Sequence, residues 1–200
     1  MDTFDAITSR RSVKSFDKNH EMTPAEITEL LELAVLSPTS YNIQNWRFVT
    51  ITDQSIKDML SELSHGQKQV SEASLVIILC ADLHSWNKQP ERYWANIPEE
   101  PRNSLVESLT KSYRNKPQVQ RDEAMRSCGM AAQTIMLAAK AMGYDTCPMK
   151  GFDYDAVGDL IKLPHDHLIT MMVVVGKKVN DVSPRGGQLL LDELVFENTF

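Results

Sequence analysis

Two apolar runs constrain the fold of this chain more than any other feature. Leu75–Ala81 (LVIILCA) and Leu168–Gly176 (LITMMVVVG) show no polar alternation, so each reads as a strand buried on both faces. Both are far shorter than the roughly 20 apolar residues that a membrane-spanning helix requires. A sheet buried on both sides must be covered by helices, and the flanking sequence supplies them. Thr23-Pro24-Ala25-Glu26 is a capping box with proline at the first helical position, followed by the stripe Ile27, Leu30, Leu31, Ala34 and Val35. Asp122–Met142 predicts the strongest helix, with Cys128, Ala131, Ala132, Ile135, Ala138, Ala139 and Met142 on one broad face and Gly143 at its end. Shorter helices are expected from Asp2 or Thr3 to near Arg10, over Ser55–Leu63 and over Tyr154–Leu163. A third strand is expected at Trp46–Thr52. Residues 82–103 are rich in Trp, Tyr, Pro and charge, and predict an irregular or partly helical excursion that continues as helix to about Tyr113. Strands separated by helices indicate α/β or α+β, in one domain spanning residues 1–200.

The formal net charge of -6 argues against general binding to nucleic acid, which calls for a basic surface. The opening MDTFDAITSRRS lacks the apolar core of a secretory signal, so a soluble, cytoplasmic protein with no membrane association is expected. Cys80, Cys128 and Cys147 form no CxxC pair; the first two read as small buried hydrophobes, while Cys147 stays open. No G-x-G-x-x-G follows a strand, and neither a P-loop nor a G-x-S-x-G elbow is present. The five histidines make no metal pattern, and His165-x-His167 reads as part of a solvated loop.

Two segments could carry chemistry. Arg10-Arg11-Ser12-Val13-Lys14 places three cations and a hydroxyl within five residues. That set suits a bound phosphate, although a cationic last turn complementing the helix dipole would look the same, and spacing alone favours the latter. Ser37–Trp46 gathers hydroxyl, amide and aromatic groups in one helix-to-strand loop. It could hydrogen-bond a polar heterocycle, or simply stabilise its own turn.

Taken in order along the chain, these segments resemble the nitroreductase family. Arg10 to Phe16 (Arg-Arg-Ser-x-Lys-x-Phe) is similar to that family's opening motif, and Pro38-Thr39-Ser40-x-Asn42-x-Gln44-x-Trp46 to its second. Gly66-Gln67-Lys68-Gln69-Val70 resembles a third, and Gly143 to Phe152 a fourth. The Leu168–Gly176 strand and the closing Leu190–Val195 also fit.

The resemblance implies an α+β fold with a central, mostly antiparallel sheet flanked by helices. It also implies an intertwined homodimer with swapped C-terminal extensions and FMN at the interface. By resemblance, Arg10, Arg11 and Ser12 hold the phosphate and ribityl end, and Lys14 lies near the N1 and C2 edge. Pro38, Thr39, Ser40 and Asn42 come from the partner chain and pack along the ring. Gln67 contacts the pyrimidine side, and the Lys150-Gly151 backbone approaches N5 and O4. Reduction places negative charge around N1, so a fixed cation there favours the reduced state.

Three positions depart from the family pattern. Gly66 stands where Asn is common, Lys150 where Glu or Gly is common, and Gln188 where a basic phosphate contact is common, with Arg185 positioned to compensate. The excursion at 82–113 would form the mouth over the flavin, where Trp86, Tyr93, Trp94 and Tyr113 either stack on a substrate or pack at a surface. The function implied is ping-pong hydride transfer from NADH or NADPH, through FMN, to a small nitroaromatic or quinone-type acceptor. The alternatives are an FMN storage or sensing protein without turnover, and a specialised flavin-cleaving or dehalogenating member.

Overall fold

In the computed structural model, which describes residues 1–200, the central strand β2 (Leu75–Asp82) lies between β1 (Trp46–Ile51) and β4 (His167–Gly176). A short strand, β3 (Asp145–Met149), completes a four-stranded sheet in the order β1-β2-β4-β3, antiparallel at every pairing. All eight residues of β2 are buried. Leu75, Ile77, Leu79 and Ala81 face one core, and Val76, Ile78 and Cys80 face another. The alternation along this strand is therefore between two dry faces, which is why the sequence shows none. In β4, Thr170 is an extra residue at the register shift opposite Leu79/Cys80, and its hydroxyl donates to the Leu79 carbonyl at 2.8 Å.

The first core is covered by α2 (Pro24–Ala34) and the long α6 (Pro117–Ala141). The capping box forms as expected: Thr23 accepts from the Glu26 N–H, and the Glu26 carboxylate accepts from the Thr23 N–H. Small residues Ala124, Cys128, Ala131, Ala132 and Ala139 let α6 lie close on the sheet. The second core is covered by α3 (Gln54–Leu63), α4 (Lys68–Glu72) and α7 (Tyr154–Leu160). The remaining helices are α1 (Thr3–Ser9), α5 (Glu99–Tyr113) and α8 (Leu191–Leu194). No helix is long and apolar enough to cross a membrane.

The structure departs from the sequence expectation at four places. The strand β3 was not expected, because DTCPM is short and contains Pro148; it lies at the sheet edge, where a missing N–H is tolerated. α4 was not expected either, since five residues carry too little period to register. α6 begins at Pro117 rather than Asp122, on a lysine-proline start with no capping side chain. Finally, His167 is not solvated but half-buried, with Nδ1 2.7 Å from Asp166. All three cysteines are buried thiols, Cys147 included, and burial pushes Cys80 up to about 12 and Cys128 to about 11.

Candidate functional site

The segment after α1 is fixed in place by its apolar members. Val13 and Phe16 are buried, and the Val13 N–H donates to the Thr146 carbonyl at 3.0 Å beside β3. Phe16 bridges Lys178 and presses on Gly176, where an added Cβ would come within 2.9 Å of its ring. With these anchors inward, Arg11, Ser12 and Lys14 line a cleft of about 400 Å³ against Asn180–Pro184. A second cleft of about 260 Å³ adjoins it, lined by Arg10, Arg11, Ser12, Arg185, Gly186, Gly187 and Gln188. Two segments some 170 residues apart in sequence, 10–14 and 180–188, are thus brought together as a largely cationic groove.

The cations are employed unequally. One terminal nitrogen of Arg10, Nη1, is buried without any hydrogen-bond partner. A buried guanidinium nitrogen left unsatisfied is costly and fits an anion that would complete it. Arg11 Nη2 donates to the Ser183 carbonyl. Arg185 Nη2 donates to the carbonyls of Thr8 at 3.0 Å and Arg10 at 2.8 Å. The end of α1 is therefore capped by Arg185 rather than by Arg10 or Arg11, which leaves Arg10 and the remaining donors of Arg11 for the groove. Burial raises the Cys147 thiol, and the charges of Lys14 and Arg10 pull it back part way, placing both cations near β3.

Gln67 sits at the other end of the same strand. Its Nε2 donates to the Gly151 carbonyl at 2.9 Å, and its Oε1 accepts from Gln69 at 2.9 Å. Gly66 occupies φ +69°, following His65 at +58°, as the chain leaves α3. Glycine and asparagine are the residues that tolerate this region best, so the departure at Gly66 keeps the backbone shape. Lys150 and Gly151 are exposed.

Pro38, Thr39, Ser40 and Asn42 line neither cleft. Their turn lies over the start of α6: the Ser40 N–H donates to Glu123 at 2.9 Å, Asn42 Nδ2 donates to the Tyr93 carbonyl at 2.8 Å, and the Tyr41 and Ser112 hydroxyls are 3.0 Å apart. Tyr41, Asn42 and Gln44 all have left-handed backbones, at φ 53°, 52° and 42°. Left-handed non-glycine residues cost on the order of 1–3 kcal/mol each, least for Asn42, and persist where surrounding contacts hold them. In one chain, then, the motifs form two separate groups: 10–14, 67 and 150–151 around β3, and 38–42 beside α6.

The aromatic residues of the excursion pack inward. Trp86, Tyr93 and Tyr113 are buried with Ile43 and Leu109, and Trp94 packs against them; stacking on a substrate is thereby ruled out for the three buried rings in this form. At the base of the excursion Lys88 Nζ lies 2.9 Å from both Asp82 oxygens and 2.7 Å from Asp166, with Arg47 3.2 Å from Asp82. The Lys88 hydrogen bond, with that of His167, holds the Asp166 carboxyl well below the usual carboxylate range. The Asp82–Asp166–His167 group has metal-ligand spacing, but the Lys88 ammonium already bridges its carboxylates. Glu123 and the Phe16–Gly176 contact were missed in the sequence. An acidic residue four before Ser127, on a face that goes on to be buried, was the available signal for Glu123.

The sequence pattern of the Nitroreductase family matches residues 7–177. The chain is 52% identical to the protein DrgA of Synechocystis over 181 residues, covering 90% of this chain and 86% of that protein. It is 31% identical over 196 residues to MhqN of Bacillus subtilis, which is named as an NAD(P)H nitroreductase, covering 94% and 95% of the two chains. A crystal structure from Exiguobacterium sibiricum, described as a nitroreductase in complex with FMN, superposes with a TM-score of 0.91 at 28% identity, covering 98% of this chain and 97% of that one.

Proposed function

The chain belongs to the nitroreductase family, and from that membership we propose that it is an FMN-dependent NAD(P)H oxidoreductase working as a homodimer on nitroaromatic or quinone-type acceptors. The observation that carries the cofactor assignment is the buried, partnerless Arg10 Nη1 in a groove that also presents Arg11, Ser12 and Lys14. A phosphate completes that nitrogen and takes up the Arg11 donors that the Ser183 carbonyl leaves free. Ser12 offers its hydroxyl to the ribityl chain, Lys14 its charge to the N1 edge, and Gln67 with the Lys150-Gly151 backbone flank the remaining polar edge of the ring. Arg185 supports the groove by capping α1.

The chemistry supplied by bound FMN is two-electron transfer, with hydride taken from NADH or NADPH and then given to the acceptor. The chain's own residues hold the cofactor and set the field around it, and none is assigned a proton. A donor and an acceptor that share one binding surface beside bound FMN would take turns there, which would give ping-pong kinetics.

The dimer is supported by apolar surface that one chain leaves uncovered. Leu189, Leu190, Leu191, Leu194, Val195 and Phe196 are all more than half exposed, as are Phe4 and Leu36. An apolar groove of about 430 Å³ runs between the chain's first residues, the end of α2 and α6. Patches of this kind mark association surfaces. A second copy covers them and brings its 38–42 turn to the groove of the first.

The test is an absorbance spectrum of the purified protein, before and after anaerobic addition of NADH or NADPH. Flavin bands that bleach with a donor are expected. Flavin bands that persist would move the protein to storage, sensing or a specialised flavin reaction. A protein that takes up no FMN on reconstitution would overturn the reading.

A further inference from the structure

The strained turn at 39–44 is held from beneath by a side chain that lies in none of the sequence motifs. Glu123 is in α6 and only 6% exposed. Its Oε1 accepts the Ser40 N–H at 2.9 Å and the Ser127 hydroxyl at 2.9 Å, while Oε2 faces Arg126 at 3.4 Å. The Arg126 side chain is 62% exposed, so this ion pair is a weak reason to bury a carboxylate. What the burial does achieve is a charge-assisted hydrogen bond to a single backbone amide, with the acceptor oriented by Ser127 one helical turn along. Ser40 is thus gripped at its amide, immediately before the left-handed residues Tyr41 and Asn42. Its orientation decides where the turn that follows points.

We propose that Glu123 is a positioning residue for flavin binding: by fixing the Ser40 amide, it holds the 39–44 turn in the shape that packs against FMN bound in the partner's groove. This rests on the FMN-dependent dimer proposed above. Glu123 acts through Ser40 and does not touch the cofactor. Its platform, the 25-residue α6, is packed along the sheet and is rigid enough to transmit that constraint.

The experiment compares full-length wild type with Glu123→Ala, Glu123→Gln and Glu123→Asp. Hydrogen exchange across 39–44 is measured without FMN, followed by FMN titration and by kcat and KM for the nucleotide donor. Glu123→Ala is expected to speed exchange in the turn and to raise the FMN dissociation constant about tenfold or more, the effect of losing one hydrogen bond to a charged group. Glu123→Gln, whose amide oxygen can still accept, is expected to reverse most of each effect, short of the charged bond's full strength. Should Glu123→Ala fail to fold, Glu123→Asp carries the test: its carboxylate is withdrawn by one methylene, so faster exchange in the turn and weaker FMN binding than wild type are expected, and a folded Glu123→Asp dimer equal to wild type in both overturns the proposal. A folded Glu123→Ala dimer with unchanged exchange and unchanged FMN affinity overturns the proposal. Wild-type protein that binds no FMN overturns the flavin reading and this inference together, so the two failures are distinguishable.

Discussion

At the scale of residues, the groove depends on which side chains are already engaged. Arg185 is tied to the α1 carbonyls and Arg11 to the Ser183 carbonyl, whereas Arg10 keeps one buried nitrogen unpaired. Arg10→Ala is therefore expected to weaken FMN binding by about 10- to 100-fold, the range for a charged hydrogen bond, and to leave thermal stability unchanged or slightly raised; titration and a melting curve together check it. Lys14→Ala is expected to shift the flavin potential to more negative values, by roughly 30 mV for each tenfold loss of preference for the reduced state, and an unchanged potential would remove Lys14 from the ring's edge. Gly176→Ala tests a different kind of position. Because its Cβ would meet Phe16 at 2.9 Å, overpacking of about 1–3 kcal/mol is expected in urea unfolding, along with poorer FMN binding as segment 10–14 moves.

At the scale of elements, the tie between α2 and the start of β3 makes stability depend on pH. The Tyr144 hydroxyl donates to Glu26 at 2.7 Å; this bond, with those from Thr23, holds the Glu26 carboxyl down at about 2. Its contribution is complete above 4.5, the ordinary value, and is lost as pH falls toward about 2. Burial, and then the same Glu26 bond, push Tyr144 up to about 12 from 10.0, so the alkaline limit of the pair lies beyond pH 10. The stability difference between wild type and Glu26→Gln should hold steady above pH 4.5 and shrink below it; a difference that ignores pH would show that the carboxylate's charge contributes nothing. Long, periodic elements such as α2, the Cys128-bearing face of α6 and the two apolar strands were legible in the sequence because burial writes a pattern. The edge strand with Pro148 and the five-residue α4 were not, since neither is long enough to show a period. For the site, the motif residues were recognisable by resemblance, whereas the Glu123–Ser40 bond joins positions 83 residues apart and no local spacing announces it.

At the scale of the whole molecule, the C-terminal extension is apolar and uncovered. Replacing Leu191, Leu194 and Phe196 together by serine is expected to shift the protein toward monomer in sedimentation velocity, with unchanged far-ultraviolet dichroism and weakened FMN retention; a dimer of undiminished affinity would place the interface elsewhere. The separation of the 10–14 groove from the 38–42 turn within one chain has a genetic corollary. In the proposed dimer each active site draws one half from each gene product. Subunits carrying Arg10→Ala and subunits carrying Glu123→Ala are therefore each deficient as homodimers, yet a mixed pair contains one site built wholly from intact halves. Co-expressing the two damaged alleles should return about a quarter of wild-type activity on random pairing, and an allele damaged in both halves should act as a dominant poison of the normal one.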